Sequence, residues 1–232
     1  QVGSFYVTIG TMIFQLFQDP VAFAAFIIAI LVALTFHEAA HALAANYLGD
    51  DTAKLAGRLS LNPLDHLDPI GTILLPALIL IPAFLTGASV GPLLAWAKPV
   101  PVNPLNFSDL RKGELFVSAA GIMANFGLAI ICALVFHILN ALPFVFPTFI
   151  GNILSFGVYI NLLLGVFNLL PIPPLDGSKI LISQLPYKLA KEYQKLEQYG
   201  FFLLLFLIFI FPTPFFLFIG FFVNIFSTLL GF

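Results

Sequence analysis

Long apolar runs alternate with short polar, proline-rich stretches along the whole chain. The first clear run opens at Asp19-Pro20 and closes at Leu48-Gly49. Asp offers an acceptor to the free N–H groups of a first helical turn, and Pro is accommodated there. Gly just past the last apolar residue ends a helix. The 29 residues from 20 to 48 rise about 43 Å, enough to cross an apolar bilayer core of about 30 Å. Asp50 to Pro69 is polar and turn-rich, with a short strand expected at Gly57–Leu61. Residues 70–97 are apolar but interrupted by Pro76, Pro82, Pro92, Gly71, Gly87 and Gly91, which predicts a kinked span or a re-entrant hairpin. Irregular backbone at membrane depth survives only against protein or a water-filled cavity. Lys98-Pro99-Val100-Pro101-Val102-Asn103-Pro104 cannot be helical and reads as an extended edge strand.

A strong helix follows from about Glu114 to Leu139, capped from Ser108-Asp109 and rich in small residues over Ser118–Asn125. Small residues let helices approach closely in lipid. Pro143 and Pro147 mark a turn, and a further helix covers Thr148–Leu170. Pro171, Pro173 and Pro174 then force an extended chain up to Asp176-Gly177. Residues 178–198 carry four of the nine basic residues and predict a surface helix. The tail, 199–232, holds 12 of the 28 Phe and is split at Pro212-Thr213-Pro214, giving one kinked span or a tight hairpin. The expected organisation is an irregular or interfacial segment 1–18, a transmembrane core 19–182 that includes the 70–104 insertion, a surface helix 183–198 and a membrane tail 199–232.

Composition turns these helices into membrane helices. Of 232 residues, 60% are hydrophobic and 9% charged, with mean hydropathy +1.06, whereas soluble domains carry about 25% charged residues. The fold class is an all-α polytopic membrane protein, a bundle of transmembrane helices with a re-entrant or kinked hairpin and a short extended edge-strand segment. A net charge of −2 without a basic cluster gives no footprint for nucleic acid. A single cysteine, Cys132, rules out a disulfide within the chain and disfavours a thiolate metal site. Residues 1–18 contain no Lys or Arg and lack the basic start of a signal peptide. All nine Lys and Arg fall in 54–112 or 179–195. If 70–97 enters and leaves on one side, both groups share a side, which the positive-inside rule makes cytoplasmic.

Within the first run stands His37-Glu38-Ala39-Ala40-His41. Residues four apart lie one turn above each other on one helix face, so two imidazoles can meet one metal ion. Glu38 is offset by one residue and can reach a metal-bound water without ligating the metal. That is the logic of a zinc hydrolase, which still needs a third ligand. Accidental polar residues are costly in lipid, which disfavours two core histidines beside a chance Glu. Asp176 is the best third ligand, since it follows an apolar span on a proline-stiffened backbone, although it could instead cap the helix from Ser178. His66 is the rival, in a polar loop where a supporting role suits it better. His137 lies about 18 Å beyond Asn125 along its helix, too far to share the site. Asn125 and Asn168 are intramembrane amides. Each can simply bond between helices. Asn125, level with the histidines, can also donate to a developing oxyanion, and Asn168 can orient the Asp176 loop.

Three motifs together, His37–His41, Ala120-Gly121-x-x-Ala124-Asn125 and Asn168-x-x-Pro171-x-Pro173-Pro174-Leu175-Asp176-Gly177, resemble the signatures of the site-2 protease family of intramembrane zinc metalloproteases. Leu61-Asn62-Pro63-Leu64-Asp65-His66-x-Asp68-Pro69 and Trp96–Val102 are similar to its compact prokaryotic branch. The resemblance implies one Zn2+ per chain on His37, His41 and Asp176, Glu38 as base, and Asn125 as a substrate or oxyanion contact. It implies membrane-protein substrates, single-span helices among them, cleaved inside the membrane, and the charge pattern opens the site toward the cytoplasmic side. Lys98, Pro99, Val100 and Pro101 would bind substrate by strand addition, with Asn168 and His66 in support. Ile122 departs from the family pattern, in which proline is usual after the second-motif glycine. No stretch is long and polar enough for the PDZ domain of many relatives, so substrate choice is expected to rest on the membrane domain or partners. The competing class is a metal transporter or a non-catalytic metal-binding membrane protein, which the Glu at hydrolase spacing disfavours.

Overall fold

The computed structural model describes residue 16, residues 19–86 and residues 96–232. The expectation for 1–18 lies outside these, apart from residue 16. Among the described residues there is no strand, and four helices are long and apolar enough to cross a membrane. They are α1 (Pro20–Tyr47), α3 (Leu110–Ala141), α4 (Thr148–Asn168) and α8 (Pro212–Leu229). Between and after them lie α2 (Leu75–Thr86), α5 (Asp176–Gln184), α6 (Tyr187–Gln194) and α7 (Glu197–Ile210).

The helix ends follow their caps. Asp19 accepts from Val21 N at 2.9 Å and Ala22 N at 3.1 Å, which starts α1. Gly49 takes φ 99°, a left-handed conformation that suits the end of a helix. Asp109 accepts from Lys112 N at 3.1 Å, so α3 begins at Leu110, a turn earlier than the apolar pattern suggests. Ile122 is buried within α3, which runs on uninterrupted at the position where the family has proline.

Small residues spaced by four set the core. On α1 the buried positions include Ala25, Ala29, Ala33, His37, His41 and Ala45. On α3 they include Gly113, Val117, Gly121, Asn125, Ala129 and Ala133. Gly157, Asn161 and Gly165 continue the pattern on α4. Rows of i, i+4 residues are the ridges by which helices interlock, and small side chains let backbones close in when lipid offers no hydrophobic drive. Both histidines therefore face the bundle because they stand in register with a row of alanines. Ala29 and Ala33 pack on Ile160, and Ala45 packs on Phe107 and Val117. Ala129 and Ala133 pack on Val158 and Leu162.

The polar loop after α1 has no strand at 57–61, contrary to the sequence expectation. Gly57 has φ 70°, and Arg58 N bonds back to Ala53 O at 2.8 Å, so the chain turns instead of extending. A wide helical turn at Pro69–Leu74 leads into α2, which is helical despite its prolines. Pro76 falls in the first turn, where no N–H is needed, and only Pro82 interrupts the hydrogen bonding inside. Trp96 N donates to Gly71 O at 3.2 Å and Thr72 Oγ1 to Trp96 O at 2.7 Å. Both ends of the excursion thus meet at one level. The choice between hairpin and kinked span turns on 87–95, outside the described residues. Gly71 is required here, because a Cβ would lie 2.3 Å from the Trp96 ring.

Beyond α4, the chain folds back at Leu170–Leu175 into α5. α6 and α7 form a pair bent by 63°. Leu204 and Ile208 of α7 join Val166, Leu170 and Leu175 in one cluster with Phe215 and Ile219 of α8. α8 then runs along α4 until Leu230 O meets His137 Nε2 at 2.7 Å, near the far end of α3. The tail thus travels the length of the bundle in α8, while α7 packs through Leu204 and Ile208 on the end of α4 and the start of α8.

Asp50 supplies a pH-dependent part of stability. Burial favours its neutral form, but hydrogen bonds from Thr52, Asn103 and Asn106 outweigh this and hold it below the ordinary value of 3.8. A carboxyl whose folded pKa is depressed contributes stability above its unfolded pKa and loses it as pH falls through the folded value. The Tm difference between wild type and Asp50→Asn in detergent should therefore shrink as pH drops below about 4. A difference that stays constant to pH 2 would contradict this account.

Candidate metal centre

Three side chains from two distant parts of the chain converge. α1 brings His37 and His41, and the first turn of α5 brings Asp176. His37 Nε2 and His41 Nε2 are 3.0 Å apart, and Asp176 Oδ2 lies 3.3 Å and 3.2 Å from them. All three residues are at most 9% exposed. Asp176 comes this close because Gly177 lets α5 press on the end of α4. A Cβ there would lie 2.2 Å from Leu169 O and 2.4 Å from Leu170 O.

The partners on the far side of each ring fix the protons. His41 Nδ1 is 2.7 Å from Val117 O, which can only accept, so Nδ1 carries hydrogen. His37 Nδ1 is 2.7 Å from Asn125 Oδ1. That orientation of Asn125 is itself fixed. Its Nδ2 donates to Asn161 Oδ1 at 2.8 Å and to Ala33 O at 3.3 Å, and Asn161 Nδ2 donates to Gly157 O at 2.8 Å. In their neutral forms both Nε2 atoms therefore present lone pairs. They face each other and a carboxylate oxygen, Asp176 Oδ2, that receives no hydrogen bond. Three acceptors crowded together repel one another unless a cation lies between them.

Zinc fits this donor set. Zn–N and Zn–O bonds of about 2.0–2.1 Å place tetrahedral ligand pairs about 3.3–3.4 Å apart, close to the observed triangle. Neutral imidazoles and a carboxylate are zinc donors, and second-layer acceptors on Nδ1 are what orient them. Gly121 of α3 backs the pair closely enough that a Cβ would sit 2.4 Å from His41 Nε2.

Glu38 does not join the triangle. Its Oε2 accepts from Val100 N at 3.1 Å, so the base expected from the motif is held by the extended segment 98–103. Of the residues expected to bind substrate, Lys98, Pro99, Val100 and Pro101 all lie on that segment beside Glu38. His66 is not in the ligand cluster. Its Nε2 bonds Ser60 O at 2.8 Å, and its carbonyl accepts from Lys98 N at 2.9 Å, so it braces the segment. Asn168 donates to Leu164 O at 3.1 Å within its own helix and makes no described bond to the Asp176 loop. The Asn125 amide, expected at an oxyanion, is fully buried and bonds Asn161, Ala33 and His37 instead. Asn161 joins the site without a motif of its own, and its only signal in the sequence is that it is another amide in a membrane-length helix, where polar groups seldom occur without a partner.

A buried triad of two imidazoles and a carboxylate, with a second carboxylate one residue away, makes this a metallohydrolase set among membrane-length helices. Comparison with known proteins narrows the class. The chain is 40% identical over 192 residues, 81% of its length and 80% of the relative's, to a protein of Bacillus subtilis (strain 168) that bears the name "Putative zinc metalloprotease YwhC". Peptidase family M50 matches residues 145–211, which include the Asp176 loop. No solved structure matches significantly. The chain belongs to peptidase family M50, the site-2 protease family, and is a zinc metalloprotease and an integral, multi-pass membrane protein.

Proposed function

We propose that this metalloprotease hydrolyses peptide bonds in or beside transmembrane segments of membrane-protein substrates. The observation that carries this reading is the position of the triad. His37 and His41 lie about 15 Å and 9 Å inside the end of α1, on its bundle-facing stripe, among helices that cross a membrane. A substrate meets such a site from within the bilayer or at its edge, lipid being the common surroundings. The end of α1, the start of α3 and the Asp176 loop share one end of the bundle, and the basic residues lie in the segments adjoining it. The positive-inside rule makes that end cytoplasmic, and water reaches the site from there.

His37, His41 and Asp176 would hold one zinc per chain, Glu38 staying free. When bound, zinc supplies an acidified water and a Lewis acid for the scissile carbonyl. Glu38 takes a proton from the attacking water at its carboxylate and returns it to the leaving amine. Val100 N–H fixes the carboxylate in place for that exchange. Asn125 keeps His37 in the tautomer that leaves Nε2 free. Pro99 and Pro101 have no N–H, and the residues before them are pushed to extended backbone. An unwound substrate strand is received along Lys98–Pro101 through backbone carbonyls, since the N–H groups of Lys98 and Val100 are engaged by His66 and Glu38, with selectivity for segments that leave helical conformation readily.

The test is cleavage in proteoliposomes containing a single-span substrate protein. Products should map to the span or its flank, chelation should abolish turnover, and added Zn2+ should restore it. Cleavage confined to soluble peptides, or turnover that survives removal of zinc, would overturn the proposal.

A further inference from the structure

Asp50 lies three residues beyond the end of α1, whose last residue, Tyr47, is about 13–14 Å along the helix from Glu38. Asp50 is fully buried, and no cation pairs with it among the described residues. Donors satisfy it instead. Oδ1 accepts from Thr52 N at 3.1 Å, Thr52 Oγ1 and Asn106 Nδ2 at 2.7 Å, and Oδ2 accepts from Asn103 N at 2.8 Å. Two of these donors belong to the end of the extended segment. At the other end of the segment Arg58, also buried, donates from Nη2 to Lys98 O, and Lys98 N donates to His66 O at 2.9 Å. Between the two anchors, Val100 N–H meets Glu38 Oε2 at 3.1 Å. Pro99 and Pro101 fix their own φ and restrict the residues before them, so the stretch behaves as a stiff bar. A bar held at both ends transmits a shift at one anchor to its middle.

We propose that Asp50 is a positioning residue for hydrolysis: through Asn103 and Asn106 it sets the register of 98–104 against α1 and so keeps Val100 N–H on the Glu38 carboxylate. This rests on the reading of Glu38 as base and of 98–101 as the strand that receives substrate. The chemistry of the residue is specific. An Asn at 50 retains Oδ1 for Thr52 and Asn106 but turns an NH2 toward the Asn103 N–H, a donor facing a donor. Asp50→Asn therefore releases the segment while sparing the turn after α1.

The experiment compares wild type, Asp50→Asn and Asn106→Ala in proteoliposomes, with zinc content, turnover per zinc-loaded chain and hydrogen exchange of the peptide covering 98–106. Asp50→Asn should bind zinc at wild-type stoichiometry and turn over about ten- to a hundredfold more slowly, since small misplacements near the chemistry cost that much. Its 98–106 amides should exchange at least about tenfold faster while peptides from α1, α3 and α4 change far less, a pattern that local opening produces and global destabilisation alone does not. Asn106→Ala, which removes one donor from an exposed residue, should shift both readouts in the same sense by about threefold. Wild-type turnover in Asp50→Asn, unchanged exchange over 98–106, or loss of zinc in step with activity would each overturn the proposal. If wild-type protein fails to hydrolyse, or Glu38→Gln hydrolyses normally, the functional reading falls, and the exchange data alone still decide whether Asp50 holds the segment.

Discussion

Replacing Glu38 by Gln is expected to lower peptide hydrolysis by about 10²- to 10⁴-fold while zinc remains bound at one per chain, the range over which a positioned general base contributes. The side chain keeps its length, and its amide oxygen can still accept from Val100 N–H, which lies 3.1 Å from Glu38 Oε2 in the wild type. An amide cannot take a proton from water at neutral pH. The three ligands do not depend on Glu38, since they converge within 3.3 Å of one another through His37, His41 and Asp176 alone. Turnover of a membrane-embedded substrate, with metal analysis of the same preparation, measures both halves. Activity within tenfold of wild type would place the base elsewhere. Loss of zinc together with activity would mean that Glu38 supports the ligands rather than the chemistry. The variant should also retain uncleaved substrate, which mass spectrometry of the co-purified material would identify.

The parts of the site legible in the sequence are those that local geometry fixes. The spacing of His37 and His41 is a property of one helix, and an acid after a proline-stiffened span, Asp176, is scarce enough to be singled out. His66 stayed in contention because nothing in a sequence says where a loop carbonyl and ring will face. In the structure that loop braces Lys98 through the His66 carbonyl. The direction of Asn125 was ambiguous for a related reason. An intramembrane amide can turn either end toward a neighbour, and the choice here is made by Asn161 and Gly157 on a different helix. The bond from Val100 to Glu38 spans 62 positions and involves only backbone on one side, so no residue type announces it. The start of α3 departs from expectation because a cap can extend a helix beyond its apolar pattern. The strand expected at Gly57–Leu61 fails because the backbone N–H groups of Gly57 and Arg58 bond back to Lys54 O and Ala53 O in their own loop.

Gly121→Ala should cost at least tenfold in zinc affinity, and activity with it, without loss of helix. The added Cβ would lie 2.4 Å from His41 Nε2, 2.5 Å from His41 Cε1 and 2.7 Å from His37 Cε1. These atoms cannot yield as the end of a flexible chain would. Both rings are tied at Nδ1, His41 to Val117 O and His37 to Asn125 Oδ1, each at 2.7 Å. Val117 and Asn125 stand on α3 itself, one turn to either side of Gly121. If α3 retreats to make room, it pulls the acceptors away from the rings; if the rings turn, the Nε2 atoms leave the triangle. Either response breaks the ligand set, and loss of such supporting bonds costs about 10- to 100-fold in metal affinity. Ala is the stronger helix former by about 1 kcal/mol, so helicity should hold or rise, and a folding defect would not account for lost zinc. Gly127→Ala, on the same helix with nothing within 4 Å of the new Cβ, separates the two causes and should bind zinc as wild type does. Zinc titration of the three proteins with circular dichroism alongside makes the measurement. If Gly121→Ala binds zinc as tightly as Gly127→Ala, α3 does not press on the histidine pair, and the i, i+4 stripes of α1 and α3 are not what brings the metal ligands together.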